Sequence, residues 1–217
     1  MTDNRSRRQI VLASTSPRRQ ELIQMLGLPV EVMPSGADED TPAGWKPEQV
    51  VESLALRKAE AVLERCRLAA PAAVIVGSDT VVVLDGEILG KPRNPEEAVS
   101  MLSRLQGRRH AVYTGIACVD LSTGTSLLRH RVTTVAMKPL LETQIESYVR
   151  TGEPMDKAGA YGIQGLGAVL VESIEGDYFN VVGLSISMLS DMLLELGISV
   201  LDGCLQSSSQ GGRNMTR

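Results

Sequence analysis

The chain has 217 residues, 43% of them apolar, which suits one sizeable globular domain or two small ones. A net charge of −4 with no basic block, and aromatics limited to one Trp, one Phe and four Tyr, exclude a partner of nucleic-acid polymer type. No apolar stretch approaches the roughly 20 residues of a membrane span, and the three scattered cysteines, Cys66, Cys118 and Cys204, fit a reducing, cytoplasmic compartment better than a disulfide or metal framework.

The polar, basic start at 1–8 has no apolar segment behind it and reads as a flexible N-terminus rather than a signal peptide. Residues 9–14 read as a buried strand. Ser16 then stands at an N-cap, with Pro17 at the first helical position. That helix runs over 17–26 and stops at Gly27. Its first turn holds Arg18 and Arg19, at the end where a helix favours anions, so a bound phosphate would explain them. Capped arginines in solvent are the other reading. A short strand follows at 29–33, then a loop with the acidic cluster Asp38-Glu39-Asp40. Pro47 opens a helix predicted to reach Leu68. Val74 to Leu84 is a β-branched strand that Gly77-Ser78-Asp79-Thr80 is expected to break. Asp85-Gly86 is a hairpin-type turn, and Asn94 with Glu97 forms a capping-box pattern around Pro95. The helix behind it ends at Gly107. Strands at 109–120 and 126–137, a helix at 142–151, a glycine-rich loop at 152–167, a strand at 168–174 and a helix at 185–196 complete the core. The tail, 201–217, is rich in Ser, Gln and Gly and reads as disordered. Hairpins interrupt the alternation of helices and strands, so the predicted fold is α/β with a mixed sheet.

Several residues break the pattern of their element. Asp79 interrupts an apolar strand, where a carboxylate is costly unless it is paired, hydrogen-bonded or bound to metal. It is either a structural acid or a general base or metal ligand. Lys58 falls on the buried stripe formed by Val51, Leu54, Ala61 and Val62. It either snorkels or aims its ammonium into a polar cleft to neutralise phosphate. Gly90-Lys91-Pro92-Arg93 is a rigid basic loop. If the acidic cluster faces Asp79, the two could share Mg²⁺ or Mn²⁺, which prefer oxygen ligands. The 152–167 loop holds five glycines, which allow close approach of backbone to a ligand, and Gln164 within it can both donate and accept. Walker A and dinucleotide fingerprints are absent. His110 and His130 lack ligand spacing and read as structural, and Ser14–Ser16 lack a nucleophile-elbow pattern.

Taken together, Leu12-Ala13-Ser14-Thr15-Ser16-Pro17-Arg18-Arg19, Ser78-Asp79-Thr80, Gly90-Lys91-Pro92, Asp156–Gly165 and Asp177–Gly183 resemble the Maf family of nucleotide pyrophosphatases. The resemblance spans roughly 9–197. Ser185, where the family commonly has proline, and Ala37, in place of a β-branched residue, depart from it. It implies a two-lobed, inosine triphosphate pyrophosphatase-like α/β fold over 9–200, with the nucleotide between the lobes and a homodimer as the usual assembly. Arg18, Thr80 and Gln164 look like the subgroup that hydrolyses dTTP and UTP. Asp79 matches the family's proton acceptor, Ser14, Arg19, Lys58 and Lys91 match phosphate-binding positions, and Glu39 matches an acidic position near a divalent cation. The implied function is release of pyrophosphate from pyrimidine nucleoside triphosphates, as in nucleotide-pool cleansing. Other modified nucleotides, or a nucleotide-binding regulator of cell division, are the alternatives.

Overall fold

A computed structural model of the protein describes residues 8–201. The expectations for the first seven residues and for 202–217, Cys204 included, lie outside the described residues. Arg8 lies within them. Its guanidinium pairs with the buried carboxylate of Asp120 and donates to the backbone carbonyls of Ala72 and Leu196.

Seven strands form one mixed sheet. In chain order they are β1 (Ile10–Leu12), β2 (Val30–Val32), β3 (Val74–Leu84), β4 (Glu87–Leu89), β5 (Arg109–Asp120), β6 (Ser126–Met137) and β7 (Val171–Glu175). The spatial order is β2-β1-β3-β5-β6-β7, with β4 beside β3. The β2-β1-β3 edge is parallel, and every other pairing is antiparallel. Helices α1 (Pro17–Gln24), α2 (Pro47–Glu60), α3 (Leu63–Ala69), α4 (Pro95–Leu105), α5 (Glu142–Arg150), α6 (Tyr178–Val182) and α7 (Ile186–Glu195) flank it.

The strand β3 runs unbroken through Gly77-Ser78-Asp79-Thr80, contrary to the sequence expectation. Gly77 serves packing rather than a bend. A Cβ there would lie 2.0 Å from the Ala55 carbonyl oxygen of α2, and one on Gly115 would lie 2.4 Å from that of Val51. Two neighbouring strands thus each leave out one side chain under α2, and the helix backbone settles onto the sheet there. The helix predicted over 47–68 is two helices, turned at Ala61 and Val62, where Val62 is fully buried. The 168–174 strand begins later, at Val171, because Gly165–Leu170 forms a 3₁₀ turn. The helix α6, for which the sequence reading named no element, is capped by Asp177, whose carboxylate accepts from the N–H groups of Phe179 and Asn180. Ser185, the departure from proline, caps α7 by accepting from Met188 N–H and donates to Asp177.

On the edge opposite β5, β3 is covered by β1 up to Val76 and by β4 from Val82. Between them, 77–81 has no strand neighbour on that edge among the described residues. The Val76 carbonyl accepts there from Ala13 N–H. Backbone groups alternate sides along a strand, so Ser78 and Thr80 direct theirs to the same open edge. The sheet has a gap at its centre.

Candidate functional site

A cleft of about 570 Å³ opens at that gap, a size suited to a small ligand. Side chains alternate across a strand, so Asp79 stands on the α2 face of β3 and Thr80 on the other. Both line the cleft.

The α2 face is charged. The close seat of α2 over Gly77 and Gly115 brings Lys58 down to the sheet. Its Nζ lies 2.6 Å from Asp79 Oδ1 and 2.7 Å from Glu39 Oε1. Lys58 and Asp79 are each only 8% exposed, so Lys58 is an internal ammonium and not a snorkelling one. Glu39 is half-exposed, and its carboxyl is held below the usual carboxylate range, first by the hydrogen bond from Lys58 and then by the charges of Lys58 and Lys91. Lys91 Nζ stands 4.0 Å from Glu39 Oε2. An ammonium has three donors. Two are used here, which leaves one, and Lys58 lines the cleft.

On the opposite face the charge that meets Thr80 is one guanidinium. Arg19 Nε donates to the Gly183 carbonyl at 2.9 Å, and its Nη2 donates to Thr80 Oγ1 at 3.1 Å. Burial pushes the Arg19 pKa below its ordinary value, against the pull of Asp79 and Glu39. Ser78 Oγ donates to the same Gly183 carbonyl. Ser14 Oγ, at the cleft wall, accepts from Ser16 N–H at 3.1 Å. Ser16 stands at the N-cap of α1 as expected, but its side chain makes no cap bond.

The glycine-rich loop closes this side. Its chain makes three 3₁₀ turns, at Glu153–Asp156, Ala158–Ala160 and Gly165–Leu170. Glu153 holds it together. Its carboxylate accepts from Leu166 N–H, Gly167 N–H and the Tyr148 hydroxyl, each at 2.9 Å. Tyr161 is buried and shares a 2.7 Å bond with His110 Nε2. Gln164 lines the cleft, and its amide bonds to no other described residue. Arg18 reaches across the mouth to Asp156 at 3.2 Å. That contact is exposed and contributes little to stability. His130 lies outside the cleft lining, where it meets Glu52 and stacks on Tyr113.

The structure therefore gathers Ser14, Arg18, Arg19, Glu39, Lys58, Asp79, Thr80, Lys91 and Gln164 around one cleft. Sequence reasoning missed three residues that support it. Thr114 looks like any β-branched strand residue until its register opposite Thr80 is known. Asn180, fully buried, lay in a segment to which no element was assigned. Glu153 lay unmarked at the start of the loop, although a carboxylate beside five glycines is a signal that the loop is tied.

A family model described as Maf-like protein matches residues 9–196. A protein of Desulforamulus reducens named dTTP/UTP pyrophosphatase is 52% identical over 194 residues, covering 89% of this chain and 100% of its own. Proteins of the same name from Symbiobacterium thermophilum and Pelotomaculum thermopropionicum are 50% and 48% identical, covering 90% and 89% of this chain and 97% and 100% of theirs. The solved structure of the Staphylococcus aureus Ham1 protein aligns with a TM-score of 0.45 at 16% identity, over 76% of this chain and 80% of that one.

Proposed function

The chain belongs to the Maf family, and from that premise we propose that it is a dTTP/UTP pyrophosphatase, which hydrolyses these triphosphates to the monophosphate and pyrophosphate. The observation that carries the reading is the Lys58 ammonium held between Asp79 and Glu39 at the open edge of β3.

The two faces divide the work. Asp79 accepts a proton from water as the water adds to phosphorus at the α–β anhydride link. The bridging P–O bond breaks, pyrophosphate leaves with the electron pair, and the proton passes from Asp79 to solvent. The third donor of Lys58, together with Lys91, Arg19 and Ser14, binds phosphate oxygens. Cations fixed where charge develops give most of the benefit in such a reaction. On the other face Arg18, Thr80 and Gln164 read the base. The glycines at 159, 162, 165 and 167 let the loop pack tightly on itself and on β3, since a Cβ there would meet Val82, Lys157, Glu153 and the Gly162 carbonyl in turn, so the close approach they allow is to the protein and not to the ring.

A divalent cation, Mg²⁺ or Mn²⁺, fits the donor set. Asp79 and Glu39 are hard oxygen donors that line one cleft, each with a second oxygen not bonded to Lys58, and Mg²⁺ commonly binds through one or two carboxylates plus substrate phosphates. Among the described residues no three acidic, His or Cys side chains cluster to hold a metal by themselves. Glu39 and Asp79 would hold the ion jointly with the triphosphate, where it would neutralise phosphate charge.

Residues 9–200 are read as one pyrophosphatase domain, acting as a homodimer in the cytoplasm. Family membership supports the dimer, and the free, buried Cys66 and Cys118 support a reducing compartment. No helix among the described residues is long and apolar enough to cross a membrane. The test is a side-by-side assay of dTTP, UTP, CTP and GTP with Mg²⁺ or Mn²⁺, reading pyrophosphate. Turnover of GTP ahead of dTTP and UTP would overturn the assignment.

A further inference from the structure

Thr114 sits on β5 directly opposite Thr80 and has no exposed surface. Its hydroxyl oxygen is 2.8 Å from the backbone carbonyl of Asn180 and 2.9 Å from Thr80 Oγ1. A carbonyl can only accept, so the single hydroxyl proton of Thr114 goes to Asn180. The contact with Thr80 then has one possible direction: Thr80 donates. Arg19 takes one lone pair of Thr80. What Thr80 has left is one lone pair and no proton.

Asn180 cannot relax this arrangement. Its side-chain amide donates to the Val112 carbonyl and to Thr133 Oγ1, both at 3.0 Å, and the residue is fully buried. Thr80, by contrast, is half-buried and lines the cleft. Around it the wall is apolar, with Val82, Val112, Ile163 and Val181. Lys58 lies across the strand, on the other face. The Thr80 side suits the flat, weakly polar ring of a base.

We propose that Thr114 is a positioning residue for base choice. By consuming the proton of Thr80, it makes Thr80 face the cleft as an acceptor only, suited to the ring N–H of uracil or thymine. The proposal rests on the pyrophosphatase reading above. Uracil and thymine carry an N–H at ring position 3, flanked by carbonyls. Cytosine bound in the same register presents a bare nitrogen lone pair to the lone pair of Thr80, with no proton between them. Buried groups left unpaired by a wrong ligand are what give hydrogen-bonding sites their selectivity.

The experiment is kcat/KM for UTP and CTP on the wild type, Thr114→Ser and Thr114→Val, with 3-methyl-UTP added for the wild type. Thr114→Ser keeps the hydroxyl and is expected to retain the wild-type UTP:CTP ratio. Thr114→Val frees the Thr80 proton and is expected to lower that ratio roughly three- to tenfold. The change should appear in KM more than in kcat, because Asp79 and Lys58 are untouched. A folded Thr114→Val variant whose ratio is unchanged or raised overturns the proposal. If that variant does not fold, the wild type decides. Equal kcat/KM for UTP and 3-methyl-UTP overturns it, and a loss of tenfold or more supports it. Hydrolysis of neither UTP nor dTTP by the wild type would remove the pyrophosphatase reading itself. Normal UTP hydrolysis with an unmoved ratio in Thr114→Val removes only the role of Thr114.

Discussion

Asp79 and Thr80 are consecutive residues that belong to two different chemistries. On the Asp79 face, Lys58, Glu39 and Lys91 form a chain of alternating charges. On the Thr80 face, Arg19, Thr114 and Asn180 form a chain of directed hydrogen bonds in which only Arg19 is charged. The difference follows from what each face handles. Phosphate chemistry needs charge at fixed points, and position matters more than polarity. Base choice needs donors and acceptors in a set order, and net charge hardly helps. A gap in the sheet lets one strand serve both.

The sharpest way to break this division is at Asp79. The variant Asp79→Asn keeps the shape and removes the proton acceptor. It is expected to lower kcat by about 10²–10⁴-fold for every nucleotide while binding stays measurable. Wild-type-like kcat would take Asp79 out of the mechanism. Equal losses for UTP and CTP are part of the expectation, since Asp79 lies on the face that does not read the base.

Lys58→Met comes next. Sequence alone leads one to expect a loss of activity far larger than the loss of stability, because methionine retains most of the apolar stem. Loss of a charge-assisted bond to phosphate should cost about 1.5–3 kcal/mol in transition-state stabilisation. The structure adds a second effect. Lys58 is the cation for the buried carboxylate of Asp79, and removing one partner of a buried pair costs on the order of 3 kcal/mol in folding. Urea melts and initial rates on the same preparation separate the two. A variant equal to wild type in both would show that the pair is dispensable.

The charged face was the legible one. Asp79 in an apolar strand and Lys58 on an apolar stripe each violate a local pattern, and a violation can be seen in one sequence. The long antiparallel strands β5 and β6 were equally visible, from alternation and from the turn between them. The neutral face was not. Thr114 and Asn180 violate nothing locally, and their meaning comes from cross-strand register and from a helix of only five residues. Gly77 misled because a strand glycine signals either a bend or a close approach, and only the position of α2 decides which. Glycine-rich loops leave the same ambiguity. The carboxylate of Glu153 settles it here by tying the loop shut.

Gln164→Glu sharpens the comparison from the other side. The amide of Gln164 offers one donor group and one acceptor, and the carboxylate only accepts. The variant is expected to lose roughly tenfold in kcat/KM for dTTP and UTP relative to CTP and GTP, about one hydrogen bond's worth. A uniform fall across the four nucleotides would make Gln164 a structural loop residue and leave base choice to Thr80 and Arg18.

The smallest effect expected is on stability against pH, and it tests whether burial keeps His110 neutral behind the base-reading side. His110 is buried behind the loop, and its Nε2 meets the Tyr161 hydroxyl. Burial pushes its pKa down from 6.5 to about 4. In the unfolded chain His110 takes up a proton as pH falls through about 6.5, while the folded protein does not. The unfolded state then binds more protons, so stability is full above pH 6.5 and is lost as pH falls toward 4. Over the unit from pH 6.5 to 5.5 the loss is about 1 kcal/mol. The depressed carboxyls of Glu39 and Asp120 act below their ordinary values of 4.5 and 3.8 and leave that window clear. Urea melts at pH 7, 6.5 and 5.5 should show the decline in the wild type. His110→Phe should be less stable at pH 7, because Tyr161 loses its partner, yet flatter between pH 6.5 and 5.5. An equal slope in both proteins would mean that His110 takes up its proton as readily in the folded state as in the unfolded one, so that burial does not hold it neutral.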